Sequence, residues 1–461
     1  MSRYDGRVHF VGVGGISMSA LAHYLYLAGE LVSGSDARAS ARTDRLTQAG
    51  IPVTIGHDAA LQEGAAVVVY STDVPADNPE LSAARARGAR LAHRSEILTE
   101  VLEGFRLIAV TGTHGKTTTT TLIGYLLEQC GFDPLVFTGG EVEGWLGGLR
   151  PGQGQWAVVE GDESDRSILR LTPEVVVVTN LEPEHLEHYE GDFGRLQAAV
   201  RQFVSSVQEG GSAVLCAEDD LVAALAVPVG VRRLTYGRGA QMDAVGLRAT
   251  AQGQAFDLHW RGESQGRVHS PLSGRHNMLN TLAAAAACVA AGVEPLRLAP
   301  VMTGFHNAHR RLEVLYQGKG VRLVDDYAVH PTEIRVVLET LRSWRPKRLI
   351  AALQPHRYER LGRLFADFVQ AVAAADEVWV FDVYGPVGAQ QVSGVSGQDL
   401  ATAIGHSHPL PVRYLADVST LGQMAAELRR GDLLVALGAG DISHWAHQLA
   451  VRLASAHGAQ N

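Results

Sequence analysis

The stretch TGTHGKTTTT, Thr111 to Thr120, gathers the residue types that hold a polyphosphate. Glycines let the backbone wrap an anion, Lys116 carries a charge able to reach β and γ oxygens, and the Thr117 hydroxyl is a hard ligand for Mg2+. A general phosphate loop reads G-x-x-x-x-G-K-[ST]; Gly115-Lys116-Thr117 fits, but the first glycine would fall on Val110. A second glycine turn, VGVGGISMSALA, lies upstream. Gly12 and Gly14 match the dinucleotide fingerprint G-x-G-x-x-G, the third glycine falls on Ser17, and Asp36 follows where a ribose-binding acid would stand. Such a turn suits a nicotinamide dinucleotide or the diphosphate of a nucleotide-linked substrate, because anion binding at a helix start is the same in both. No nearby constellation reads as a hydride-transfer site.

These loops need strands to hold them. RVHFVGVGG, AAVVVYST, FRLIAVTGT, QWAVVEGDE, PEVVVVTNLE, GSAVLCAED, KRLIAALQPH, DEVWVFDVY and DLLVALGAGD are short apolar runs, each followed by a helical pattern. Runs without alternation predict parallel strands covered on both faces, hence an α/β fold. Their carboxyl ends carry the polar residues, where ligands bind in open sheets. RLIAVTG and TTTTLIGYLLEQCG give the loop its strand–loop–helix setting. Boundaries are expected near residues 105 and 308, dividing the chain into 1–105, 106–308 and 309–461. Residues 240–270 alternate like antiparallel strands inserted in the middle domain.

A chain of 461 residues suits two or three domains. Its net charge of −9 argues against nonspecific nucleic-acid binding, although local Lys, Arg and N–H groups can still hold an anionic substrate. The three cysteines, Cys130, Cys216 and Cys288, are expected to be free buried thiols. With no export signal, and LAAAAACVAA too short for a bilayer, a cytoplasmic protein with no membrane partner is expected.

Magnesium needs oxygen ligands from neighbouring strand ends. EGDESD offers Glu160, Asp162, Glu163 and Asp165, and TNLEPEHLEHY offers Asn180, Glu182, Glu184, His185 and His188.

Together the motifs resemble the Mur ligase family along the whole chain. They are GVGGISMSALA, GSD (34–36), DNPEL, TGTHGKTTTT, EGDESDRS, TNLEPEHLEHY, GRHNMLNTLAAAA, RRLE, DDYAVHPTE, QPHRYER, DVY and GAGDIS. The off-pattern loop is the family's own form, T-G-T-x-G-K-T-T, and DESDRS resembles its alanine-adding branch. The resemblance implies three α/β domains: N-terminal Rossmann-like for a UDP sugar, central P-loop ATPase, and C-terminal Rossmann-like for an amino acid. It implies an ATP- and Mg2+-dependent carbon–nitrogen ligase of peptidoglycan precursor synthesis. Such an enzyme joins L-alanine to UDP-N-acetylmuramate through an acyl phosphate, as a monomer or homodimer.

On that resemblance Gly12, Gly14, Gly15, Ile16, Ser17 and Asp36 line the UDP-sugar site. Gly112, Thr113, His114, Gly115, Lys116, Thr117 and Thr118 hold the ATP phosphates. His276, Asn277 and Asn280 lie at the adenine, with Arg310 and Asp326 near the nucleotide. Thr117, Glu160 and His185 hold magnesium, and Asn180 steadies the metal and γ-phosphate region. His356, Arg357 and Arg360 contact the sugar's carboxylate arm and the amino acid, Arg357 with a catalytic part. His330 is a candidate base for the alanine ammonium, an ordinary structural histidine being the alternative.

The chain departs from the family at Val329, where D-D-Y-x-H-H-P has a histidine. Valine neither donates a hydrogen bond nor carries charge, so the expected consequence falls on the amino-acid site. Smaller departures are Glu in EPEH and the Thr72-Asp73 pair. Three other readings are set beside the alanine ligase: a murein-peptide recycling ligase on the same sugar nucleotide, an NAD-dependent oxidoreductase, and a non-catalytic nucleotide-binding regulator.

Overall fold

A computed structural model describes residues 3–163, 166–184, 186–250, 253–385, 395–416 and 421–458. The fold is α/β, with three sheets in chain order. The first holds five parallel strands: β1 (Arg7–Val11), β2 (Val32–Asp36), β3 (Val53–Ile55), β4 (Ala65–Tyr70) and β5 (Arg90–His93), in the order β3-β2-β1-β4-β5. The order reverses at β1, so the crevice at its carboxyl end is a topological switch point, and the first glycine turn sits there.

The second sheet contains β6 (Arg106–Thr111), β7 (Leu135–Phe137), β8 (Leu149–Pro151), β9 (Trp156–Glu160), β10 (Val175–Val178), β11 (Ser212–Cys216), β12 (Arg232–Tyr236), β13 (Met242–Thr250), β14 (Gly253–Trp260) and β15 (Glu263–Ser270). Their order is β15-β14-β13-β12-β11-β10-β6-β9-β7-β8. β6 lies between β9 and β10, parallel to both, which brings the two acid-bearing strand ends to either side of the phosphate loop. The alternating stretch at 240–270 forms the antiparallel β13–β15 arm. The helix Lys116–Gln129 buries Thr117 to Thr121. Five β-branched residues are poor helix formers, so packing rather than propensity holds this helix.

The third sheet holds β16 (Glu313–Gly318), β17 (Val321–Asp326), β18 (Arg348–Leu353), β19 (Glu377–Phe381), β20 (Val412–Leu415) and β21 (Asp432–Leu437), ordered β16-β17-β21-β18-β19-β20 with only β16 antiparallel. Alternate residues feed separate cores on its two faces. Leu349, Ala351 and Leu353 join one, and Ile350 and Ala352 the other. Two-sided burial explains the unbroken apolar runs.

The chain falls into two compact units: Met1–Leu272 with Asn277–Ala308, and Ser273–His276 with His309–Asn461. The first two sheets share the first unit and one large apolar core. All three cysteines are buried and free. Among the described residues, no helix is long and apolar enough to cross a membrane.

Candidate functional site

The phosphate loop is strapped to the end of β10. The Asn180 side chain accepts from His114 N–H (2.8 Å) and donates to His114 O (2.9 Å). Thr179 Oγ1 donates to His114 O (2.7 Å), and Glu182 N–H to Thr113 Oγ1 (2.8 Å). Asn180 thus braces the loop backbone, a role that its residue type alone does not reveal. Gly115 adopts φ +82°, and a Cβ there would lie 2.4 Å from Asn280 Oδ1. Only glycine fits, and the approach puts Asn280 against the loop; Asn277 joins it through a 3.2 Å bond.

Lys116 Nζ donates to Gly112 O (2.7 Å), Thr113 O (3.2 Å) and Glu163 Oε1 (2.9 Å). Burial alone would push this ammonium down. The carboxylates of Glu163, Asp162 and Glu160 outweigh it and hold the lysine charged, above its ordinary range. Thr117 Oγ1 donates to Glu160 Oε1 at 3.0 Å, while Glu160 Oε2 accepts from Gly139 N–H (2.7 Å) and Thr138 Oγ1 (3.3 Å). Two neighbouring oxygens of an octahedral Mg2+ site with ~2.1 Å bonds lie about 3.0 Å apart. The Thr117–Glu160 pair therefore has the donor chemistry and the spacing that the ion requires. His185 and Asp165 lie outside the described residues.

The first glycine turn is braced in a similar way. Asp36 accepts from Gly14 N–H (Oδ2, 2.8 Å) and Arg38 N–H (Oδ1, 3.1 Å). The acid that a ribose would need is turned onto the loop itself. Gly12 takes φ +78°, Gly15 caps the helix Ile16–Leu27, and Ile16 and Ser17 open it. Two features escaped the sequence reading here. Arg42 donates to Gly14 O (2.5 Å) and, with Arg45, pairs with Glu141 of the central domain at 2.9 and 3.0 Å. Beneath the turn, fully buried Glu80 meets His9 (2.6 Å), His57 (2.6 Å) and Ser35 (2.6 Å). Burial raises the Glu80 carboxyl, but these hydrogen bonds outweigh it and bring it below its ordinary value.

In the second unit the adjacent Asp325 and Asp326 point to opposite faces, as successive strand residues must. Asp326 accepts from Leu312 N–H (2.7 Å) and Ala328 N–H (2.9 Å). Desolvation raises it to about 6, against the pull of Arg311 and those N–H groups. Asp325 faces Arg310 Nε (3.4 Å) and accepts from Ser443 Oγ (2.5 Å). Arg310 also donates to the carbonyls of Gly438 and Ala439 and lies over the Tyr327 ring. Burial pushes the His276 imidazole down to about 4, Glu333 opposing and Arg311 assisting, so it is neutral at physiological pH.

Val329 N–H donates to Glu333 Oε2 (3.0 Å), a bond that any residue can make. His330 caps the helix Pro331–Ser343, its Nδ1 accepting from Thr332 N–H at 3.3 Å. At the end of β18, Arg357 adopts φ +65°, ψ +125°, a strained conformation for a residue with a side chain, and starts the helix Tyr358–Arg363. His356 Nδ1 lies 3.3 Å from an Arg360 nitrogen, so QPHRYER gathers His356, Arg357 and Arg360 in one turn.

Residues 7–106 match the Mur ligase family catalytic domain, 110–288 the Mur ligase middle domain, and 310–440 the Mur ligase glutamate ligase domain. The UDP-N-acetylmuramate–L-alanine ligase of Symbiobacterium thermophilum is 47% identical over 458 residues, covering 97% of this chain and 95% of that one. The chain belongs to the Mur ligase family. The ligase of the same name from Rhizobium meliloti is 39% identical, covering 99% of each chain. Among solved structures, the UDP-N-acetylmuramate–alanine ligase of Thermotoga maritima superposes with a TM-score of 0.85 at 27% identity, covering 98% of this chain and all of that one. A murein peptide ligase from Psychrobacter arcticus has a TM-score of 0.72 at 23% identity, covering 97% and 98%, a likeness of fold. Mur ligases are ATP-dependent.

Proposed function

We propose that this Mur ligase joins L-alanine to UDP-N-acetylmuramate, consuming ATP and releasing ADP and phosphate, in the cytoplasmic stage of peptidoglycan precursor synthesis. The observation that carries the reading is the arrangement of Lys116, Thr117 and Glu160 at the carboxyl ends of β6 and β9, in a chain 47% identical to an enzyme of that name. Residues 1–105 serve the UDP sugar, 106–308 ATP and 309–461 the amino acid. The glycine turn at Gly12–Ser17, stiffened by Asp36, takes the sugar's diphosphate on the backbone N–H groups of its helix start.

A carboxylate is a poor electrophile, so the sugar's carboxylate first attacks the γ-phosphorus of ATP and ADP leaves. The alanine amine then attacks the acyl carbon, and phosphate leaves from the tetrahedral intermediate. Lys116 follows the charge gathering on the transferred phosphoryl group, and the loop held by Thr179, Asn180 and Glu182 keeps its N–H donors aimed at the phosphates. Thr117 and Glu160 would hold Mg2+, which supplies further neutralisation when bound. Asn277 and Asn280 serve the nucleotide side. Arg310, packed on Tyr327, fixes the 438–440 turn. His356, Arg357 and Arg360 orient the carboxylates of the sugar arm and of alanine. His330 is a candidate base for the alanine ammonium.

The test is phosphate release with UDP-N-acetylmuramate, ATP and Mg2+ across a panel of amino acids and the murein tripeptide. Release above background with L-alanine is expected. A stronger response to tripeptide would assign the recycling reaction instead.

A further inference from the structure

An ammonium has three N–H donors, and Lys116 spends all three on Gly112 O, Thr113 O and Glu163 Oε1. The lysine reaches a phosphate only by giving up one of them. Two of the partners are neutral carbonyls of the loop itself. The third, Glu163, brings a charge from the segment beyond β9 and is 1% exposed. Its main chain is pinned: the buried Tyr189 hydroxyl donates to Glu163 O at 2.5 Å, and Arg166 N–H donates there at 3.3 Å. Its second carboxylate oxygen, Oε2, is buried with no hydrogen-bond partner among the described residues. A buried carboxylate with one oxygen unsatisfied is costly to keep. Among the described residues, Lys116 is the cation with which this carboxylate pairs.

We propose that Glu163 is a positioning residue that holds Lys116 in a phosphate-free resting place and competes with the ATP phosphates for its charge. In the empty loop Glu163 keeps the lysine folded back onto Gly112 and Thr113. When ATP enters, Nζ passes from the carboxylate to the phosphate oxygens; when product leaves, it returns. Glu163 thereby weakens nucleotide binding and favours release of ADP. This rests on the reading of the loop as the ATP site.

The test is calorimetric binding of ADP and a non-hydrolysable ATP analogue to the full chain, with UDP-N-acetylmuramate titrated separately. In Glu163→Gln the amide oxygen still accepts from Lys116, but the competing charge is gone. Nucleotide should bind at least about fivefold more tightly, with UDP-sugar affinity unchanged. A merely structural role for Glu163 could weaken nucleotide binding but would not tighten it. Unchanged or weaker nucleotide binding with intact UDP-sugar binding would overturn the proposal alone. Failure of the unaltered protein to bind nucleotide would overturn the ATP site itself. If Glu163→Gln does not fold, Tyr189→Phe decides: it keeps the apolar packing, frees the Glu163 main chain and should tighten nucleotide binding in the same direction. No change there would overturn the proposal.

Discussion

Replacing Lys116 with methionine keeps the side chain's length and removes its charge. Three hydrogen bonds are lost, and the nearly inaccessible Glu163 is left without its cation. Removing one partner of a buried ion pair costs about 3–5 kcal/mol, enough to lower the melting temperature by roughly 3–8 °C in a unit of this size. Turnover should fall at least ~100-fold, because the lost group acts where charge gathers in phosphoryl transfer. These effects are separable. Adding Glu163→Gln removes the stranded charge, so Lys116→Met/Glu163→Gln should recover most of the lost melting temperature and none of the turnover. The assays are scanning calorimetry, coupled phosphate release and titration with UDP-N-acetylmuramate, which should still bind through the β1 turn. A double variant that regains turnover would show that Lys116 acts only through stability. Loss of UDP-sugar binding in a folded Lys116→Met protein would refute the two-site assignment.

Other substitutions probe other parts of the chain. In Gly14→Ala the new Cβ would lie 2.8 Å from Asp36 Oδ2 and break the brace on the turn; UDP-sugar affinity should fall at least ~10-fold with ATP affinity unchanged, and loss of both would contradict the assignment. Asp326, raised to about 6, binds its proton more tightly folded than unfolded, where its value is ~3.9. Stability should therefore fall by up to ~3 kcal/mol as pH rises from about 4 to 6, and denaturant melts of Asp326→Asn should lack that slope relative to the unaltered protein. Val329→His keeps the backbone bond to Glu333, so the melting temperature should hold while the KM for alanine shifts; a shift in the KM for ATP instead would move the effect away from the amino-acid site.

The features legible in the sequence are those whose cause is local. Unalternating valine runs announce strands buried on both faces, and Gly115-Lys116-Thr117 after such a run announces a phosphate loop. That Glu160 neighbours this loop was legible because it ends the adjoining strand. What stayed hidden depends on residues far apart in the chain. Nothing near Lys116 in the sequence marks Glu163 rather than Asp162 as its partner; the course of the backbone just beyond β9 brings Glu163 to it. Asn180 reads as a ligand type and proves to be a brace. Arg42 carries no signal in the sequence, yet it bonds both Gly14 and Glu141, the latter 99 residues from Arg42. His330 reads as a candidate base, and the sequence does not show that its Nδ1 also caps the helix that starts at Pro331.

The central claim is that the sugar's carboxylate is activated by phosphorylation before alanine attacks it. It is tested most directly with UDP-N-acetylmuramate carrying 18O in the carboxylate, turned over with ATP, Mg2+ and L-alanine. The account expects one carboxylate 18O in each phosphate released, and UDP-N-acetylmuramoyl-L-alanine in equal amount. Phosphate free of label, or label appearing in phosphate without amide product, would contradict it.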